Sequence, residues 1–327
     1  KKRVVAEFTD AGPGVGVSNF EVRFIMAEIS QMHKGKCYAR CLFIDYSSAF
    51  NTIQPHIMIE CLERYNVPHA MQLWILDFLS NRRQYVRTSN GISSIIEVNT
   101  GAPQGCVLSA FLFVIYTNAL NMNSDFVKII KYADDTVVIG LINKNDEQEY
   151  LGVIDYLVKW CNTNFLNLNV SKTKEMIIDF RNKKNINVKK PIVIDNENVE
   201  VVDRYTYLGC TLQDNLKSDI HVNNQTKKAN KRMYHVRCLS KLRIDSKIIA
   251  MFYNAVVSSV LTYAISCWFT SCTVKERKKV DKFRKKVCKL VTADYRDTIY
   301  NVNTIHTKQC LSLLTRILKD PSHPLHT

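Results

Sequence analysis

Residues Cys41 to Phe50 read CLFIDYSSAF, and residues Lys131 to Leu141 read KYADDTVVIGL. In the first stretch a compact apolar run ends at Asp45, the pattern of a buried strand that delivers a carboxylate at its C-terminal end. In the second, together with the preceding FVKII (126–130), two β-rich runs flank Ala133 to Thr136, which predicts a hairpin with Asp134 and Asp135 at its tip. Three carboxylates on apolar strands are costly, because desolvation and mutual repulsion raise their pKa values unless cations neutralise them. A divalent ion is the natural partner. Oxygen-only ligands favour Mg2+ or Mn2+ over zinc, and two ions about 3.5 to 4 Å apart can bridge the attacking and leaving oxygens of a phosphoryl transfer. Adjacent aspartates in a turn are by themselves usually turn formers, so the surrounding segments carry the decision.

Outward from these strands, the chain opens with a glycine-rich loop, AGPGVGVSN (11–19), and a short helix whose apolar positions are Phe20, Phe24 and Ala27. Between the acidic strands, near-helical recurrence of apolar residues from Pro55 to Asn81 predicts a helical pair, with Pro68 marking the second start. A hairpin around Asn90-Gly91 leads to a glycine and proline loop, NTGAPQG (99–105), and VLSAFLFVIYTNAL (107–120) predicts a buried helix. A helix over 145–164 and short strands in EMIIDF, PIVIDN and RYTYLGCTL complete an α+β sheet domain that runs to about residue 214. Beyond Leu216 strands disappear, helical periodicity returns, and basic residues cluster at Lys227, Lys228, Lys231, Arg232, Arg237, Lys241 and Arg243. A second basic run, KERKKVDKFRKKVCKL (275–290), places Val280, Phe283, Val287 and Leu290 on one face and positive charge on the other.

With 327 residues and 46% apolar content, the chain supports a substantial core and more than one packed unit. Its 45 Lys and Arg against 30 Asp and Glu give a formal charge of +15, a balance that favours polyanionic partners. The 11 cysteines are scattered through apolar runs, which suits reduced core thiols and an intracellular setting. Cys267 with Cys272, or His306 with Cys310, lacks a second pair at zinc-ligand spacing. The longest apolar stretch, Ala255 to Phe269, is interrupted by hydroxyl residues and reads as too short to span a bilayer. Lys1 in place of Met, with no signal pattern after it, is read as the start of a piece of a longer reading frame.

The segments CLFIDYSSAFNTI, NTGAPQGCVLSAFLFVIYTNAL, KYADDTVVIGL, LNLNVSKTKEM and YLGCTL, in this order, resemble consecutive palm motifs of reverse transcriptases, and their wording and spacing resemble those of LINE-type non-LTR retrotransposons. The resemblance runs from about Cys41 to at least Leu290. It implies an α+β polymerase right hand. Residues 1–35 would be a remnant of fingers or linker, 36–214 a palm with partial fingers, 215–292 a basic helical thumb, and 293–327 a C-terminal helical tail. The fingers look incomplete, because AGPGVGVSNFEV lacks the arginines expected near that place.

Residue by residue, the resemblance gives Asp45 and Asp134 the two metal ions, with Asp135 completing the acidic tip and the Tyr46 carbonyl helping to hold the triphosphate-bound ion. One ion would activate a primer 3′-hydroxyl and the other would hold the triphosphate. Phe50 matches the aromatic that lies under the sugar and excludes a 2′-hydroxyl. Pro103, Gln104 and Gly105 match the segment lining the nascent base pair, and Lys172 matches a lysine near the triphosphate. Tyr207, Leu208 and Gly209 match the hairpin that grips the primer terminus, and Lys227, Lys228, Lys231 and Arg232 would cradle the duplex backbone. The implied partners are an RNA template, a DNA primer and deoxynucleoside triphosphates, with no membrane. The implied setting is intracellular, nuclear at the step of target-primed synthesis, with a cytoplasmic alternative. A non-catalytic nucleic-acid-binding remnant is the competing reading. A two-metal nuclease explains neither the nucleotide-lining nor the primer-grip segment.

Overall fold

The computed structural model describes residues 19–30, 37–120, 122, 124, 126–181 and 190–321. These residues form two compact units, 37–202 and 203–321, and the helix over 19–30 groups with the second. The division thus falls ahead of the boundary expected at 214, because the hairpin that follows Val202 makes its contacts with the helices after it.

The first unit is built on a five-stranded mixed sheet. Its central strand β1 (Cys37–Ile44) is followed by a 3-10 turn (Ala49–Asn51), helices α2 (Pro55–Arg64) and α3 (His69–Leu79), and two small ribbons. The first helix, α1 (Asn19–Ser30), belongs to the second unit. In the ribbons, β2 (Arg82–Gln84) pairs with β5 (Ile96–Val98), and inside them β3 (Arg87–Thr88) pairs with β4 (Gly91–Ile92). Thr88 pairs with Gly91, so the turn lies one residue earlier than Asn90-Gly91, at Ser89-Asn90. Helix α4 (Val107–Asn118), strands β6 (Val127–Tyr132) and β7 (Asp135–Asn143), helix α5 (Gln148–Thr163) and strand β8 (Lys174–Ile178) follow. A small hairpin of β9 (Val193–Ile194) and β10 (Glu197–Asn198) leads to β11 (Glu200–Val201). Strand order is β11-β8-β1-β7-β6, antiparallel except for β11 on β8.

Every β1 residue after Cys37 is buried, which is why its sequence, Arg40 apart, is apolar on both faces rather than alternating. Tyr38, Leu42, Ile44 and then Tyr46 point into one core with Leu62 of α2, Ile75 of α3, Phe113 of α4 and Leu157 of α5. Arg40 shares that face by strand alternation, so its charge has to be matched inside the protein.

The second unit begins with the hairpin β12 (Arg204–Tyr207) and β13 (Cys210–Gln213), followed by the long helix α6 (Asp219–Lys241). After it come α7 (Ser246–Phe252), a π-helical turn (Tyr253–Ser258), α8 (Ser259–Leu261), α9 (Ile265–Trp268), α10 (Val274–Val287) and α11 (Val302–Lys319). Helix α10 opens with a capping box, Thr273 and Glu276 bonding each other's backbone N–H. Helix α1 packs on α9. The segment Ser246–Trp268 is long and apolar enough to cross a membrane by length and composition, which the sequence reading did not expect. The apolar run read from Ala255 extends back through the helical turns from Ser246. In this segment Ile249, Tyr253, Val257 and Leu261 are buried and pack along α6, while Ile248 and Met251 are exposed and 39% of the apolar window is buried.

Candidate active site

The acidic residues gather where the central strands run out. Register ends with Ile44 on Thr136, so Asp45 comes one residue past the last β1–β7 rung, level with Asp135 at the start of β7. Tyr132 pairs with Asp135, which leaves Ala133 and Asp134 as the hairpin tip, with Ala133 in the left-handed region at φ 52°. The expected hairpin is present with its acidic end, but its tip is Ala133 and Asp134, because Asp135 pairs with Tyr132 and opens β7 instead of lying in the turn. Burial first, and then the charges of Asp134 and Asp45, push the Asp135 carboxyl above the usual carboxylate range. Lys172 Nζ lies 3.9 Å from Asp45 Oδ2.

Beyond Ile44 the chain makes a single bridge, Tyr46 to Leu168, built from two backbone bonds: Ser47 N–H to the Asn167 carbonyl at 2.8 Å and Asn169 N–H to the Asp45 carbonyl at 2.9 Å. In that geometry the bridged residues themselves do not exchange hydrogen bonds, so the Tyr46 carbonyl stays outside the pairing. The Tyr46 ring is buried, and its hydroxyl lies 3.3 Å from Thr136 Oγ1, under the acidic hairpin.

No group of three Asp, Glu, His or Cys side chains among the described residues converges as a ready cation cage. For Mg2+ this is no obstacle, since it is usually held by one or two carboxylates, with waters and substrate phosphates completing the shell. The oxygens at this sheet end, carboxylates that do not converge as a preformed cage and the Tyr46 carbonyl, are the hard donors a divalent Mg2+ takes.

Phe50 and the 103–105 segment lie on the turn and loop that follow Asp45. Ser48, left-handed at φ 54°, turns the chain into the 3-10 segment, and the partly buried Phe50 ring sits 5.1 Å from that of Phe113. Phe50 is thus packed against the core. The loop before α4 lies on this turn: Gly101 N–H donates to the Ile53 carbonyl and Ala102 N–H to the Phe50 carbonyl, both at 2.7 Å. Gly101, at φ +75°, is required there, because a Cβ would come 2.6 Å from the Asn51 Cα. Gln104 Nε2 reaches Asn51 Oδ1 at 3.4 Å, and Pro103 and Gln104 line a cavity of about 500 Å³ shared with Arg82 and Gln84 of β2. Gly105 has φ +82° and open space where a side chain would be.

In the second unit, Tyr207 is buried while Leu208 and Gly209 form the two-residue turn of β12–β13 with positive φ at both, 45° and 75°. The Tyr263 hydroxyl holds that turn by donating to the Leu208 carbonyl at 2.7 Å. Lys227, Lys228, Lys231 and Arg232 are all exposed on α6. Arg232 is also tied down, donating from Nη1 to the Val256 carbonyl at 2.9 Å in the π-helical turn.

Several residues escaped the sequence reading. Arg40 is fully buried and forks onto Glu175 at 2.6 and 2.8 Å, with a further bond to Glu147 at 2.7 Å. Its burial works against the charge, but Glu175 more than offsets this and holds the guanidinium firmly protonated. Gly140, the register partner of Arg40, leaves room for the Tyr150 ring, whose hydroxyl reaches Glu175 at 3.4 Å. Arg82 donates to the carbonyls of Leu79, Thr100 and Gly101, fixing the loop before α4. Lys131, next to the acidic hairpin, caps the end of α4 through the Thr117 and Leu120 carbonyls, and burial lowers its pKa to about 8. An arginine or lysine inside an apolar strand was the available signal for Arg40 and Lys131. Cys310 and His306 lie 3.4 Å apart, and all 11 cysteines are free.

Residues 13–212 match the family model of reverse transcriptases, described as RNA-dependent DNA polymerases. The probable RNA-directed DNA polymerase from transposon BS of Drosophila melanogaster is 27% identical over 262 residues, covering 76% of this chain and 28% of its own length. That from transposon X-element of the same fly is 23% identical over 279 residues, 82% of this chain and 30% of its own. The RNA-directed DNA polymerase from mobile element jockey of Drosophila funebris is 27% identical, over 71% of this chain and 26% of its own. The chain therefore spans under a third of the length of these relatives. A solved telomerase from Candida albicans aligns with a TM-score of 0.46 and 10% identity over 88% of this chain and 53% of its own, too distant to carry an argument. With the family model covering most of the chain and these relatives beside it, the chain belongs to the reverse transcriptase family, of the LINE type carried by non-LTR retrotransposons.

Proposed function

We propose that this chain is the polymerase portion of a retrotransposon protein, adding deoxynucleotides to a primer 3′-hydroxyl on an RNA template by two-metal phosphoryl transfer, in the service of target-primed reverse transcription. The observation that carries this reading is the strand-end cluster: Asp45 one residue past the last β1–β7 rung, Asp135 at the start of β7, Asp134 at the hairpin tip, and the Tyr46 carbonyl outside the bridge pairing beside them. Two Mg2+ ions, or Mn2+ in their place, would acidify the primer hydroxyl and neutralise the triphosphate when bound by these groups. Lys172 offsets charge developing on the departing pyrophosphate. Phe50 excludes the 2′-hydroxyl, and Pro103, Gln104 and Gly105 line the nascent pair. In the second unit, a thumb in this reading, the turn of Tyr207, Leu208 and Gly209 grips the primer, and the exposed basic row of α6 holds duplex backbone. The proposed place of action is the nucleus at the step of target-primed synthesis.

The test is primer extension by the purified chain on an RNA template annealed to a DNA primer, with Mg2+ and dNTPs, beside Asp134→Ala. Extension that falls by more than about a thousandfold in the variant supports the reading. Duplex binding without extension in either protein would make this a non-catalytic binding remnant instead. Phe50→Ala should admit ribonucleotides.

A further inference from the structure

We propose that Asn169 and Thr173 are positioning residues that harness Asp45 and Lys172 into one unit. This deepens the polymerase reading and rests on it. The sheet does not hold the backbone of Asp45: its pairing to β7 ends at Ile44 with Thr136, and its pairing to β8 ends at Phe43 with Lys174. The turn before β8 holds it instead. Asp45 N–H donates to Thr173 Oγ1 at 3.3 Å, and the Asp45 carbonyl accepts from Asn169 N–H at 2.9 Å. Thr173 is fully buried, so its hydroxyl is a fixed acceptor rather than a mobile surface group.

The same turn sets the lysine. The Asn169 carbonyl accepts the N–H groups of Lys172 at 3.2 Å and Thr173 at 2.8 Å. Its side-chain oxygen accepts Lys172 N–H at 3.2 Å and the Ser171 hydroxyl at 2.8 Å. Asn169 is therefore the common reference for the carboxylate and for the cation 3.9 Å from it. Without this turn, a carboxylate one residue past its last ladder bond would share the looseness of a strand end. Groups that orient a metal ligand from behind typically carry ten- to a hundredfold of metal affinity or activity.

The experiment measures Mn2+ affinity by electron paramagnetic resonance, and kcat and KM for extension on the RNA–DNA primer–template, for wild type, Thr173→Val, Thr173→Ser and Asn169→Ala. Thr173→Val keeps the β-branched shape but leaves Asp45 N–H without an acceptor. It should lose about tenfold in Mn2+ affinity and in kcat, with KM for the primer–template unchanged, and Thr173→Ser should restore both. Asn169→Ala, in a less buried position, keeps the backbone N–H that holds Asp45 and deletes the side-chain oxygen that holds Lys172 N–H and the Ser171 hydroxyl, so it should lower kcat severalfold with a smaller loss of Mn2+ affinity than Thr173→Val, and it keeps the test decisive if Thr173→Val does not fold. Wild-type Mn2+ affinity and kcat in the folded variants overturn the harness alone. A wild type that fails to extend while Thr173→Val still weakens Mn2+ binding overturns the polymerase reading and leaves the harness standing. A wild type that binds no Mn2+ overturns both.

Discussion

The middle of β1 and the sheet end just past it handle charge in opposite ways. Within the strand, the buried Arg40 is enclosed by Glu175, Glu147 and the Tyr150 ring, every partner within hydrogen-bonding or ring-stacking reach. At its finish, Asp45, Asp134 and Asp135 share one sheet end with a single lysine, itself 70% exposed, at salt-bridge distance. Five residues separate a matched network inside β1 from an acidic cluster just beyond it. In the proposed polymerase, bound divalent ions supply the charge that matches the second place.

Removing one partner in the matched network should have the largest effect. Arg40→Met strands Glu175 in the core and should cost about 3–5 kcal/mol in chemical denaturation. Should stability hold, the network is not what matches that charge. A buried titratable group can also be handled by staying neutral, as His221 does in the second unit. Thr211 N–H donates to its Nδ1, and burial, with Lys228 adding to it, lowers its pKa from 6.5 to about 4. A lowered histidine pKa gives stability that is present above 6.5 and lost as pH falls from there toward 4, about 3 kcal/mol in all. Urea midpoints across that window should drop for wild type and flatten in His221→Gln. Tyr150→Phe, which deletes one neutral donor to Glu175, should cost about 1 kcal/mol. Smallest, and of reversed sign, is Asp135→Asn. A raised carboxyl pKa means the ionised form is a cost at neutral pH, so the variant in EDTA should melt no lower than wild type. Saturating Mg2+ should raise the wild-type midpoint more. A variant that melts well below wild type in EDTA would show that Asp135 is structurally matched after all.

The legible part of this molecule was its periodic part. CLFIDY and KYADDTVVIGL announced the strands and their acidic ends, and α4 and α5 followed from apolar runs of helical length. Arg40 could be seen in the sequence, but its partners lie 107 and 135 residues away, and only the strand register brings Glu175 to it. The harness was hidden for the same reason: Asn169 and Thr173 look like ordinary turn residues until the bridge places them against Asp45. The π-helical turn in Ser246–Trp268 leaves no signature in spacing. The grouping of α1 with the second unit is a tertiary fact, since its apolar face names no partner.

The tether between Arg232 and that π-helical turn separates two quantities that a count of basic residues merges. In the proposed duplex-binding role, each freely hydrated lysine of α6 that meets a phosphate releases a condensed counterion, and its loss should flatten the logarithmic salt dependence by about 0.9. Arg232 spends a donor on the Val256 carbonyl. Its replacement by Gln should leave that dependence nearly unchanged while loosening α6 from the helix it leans on, so that a charge in the row acts as a fastener rather than as a valence.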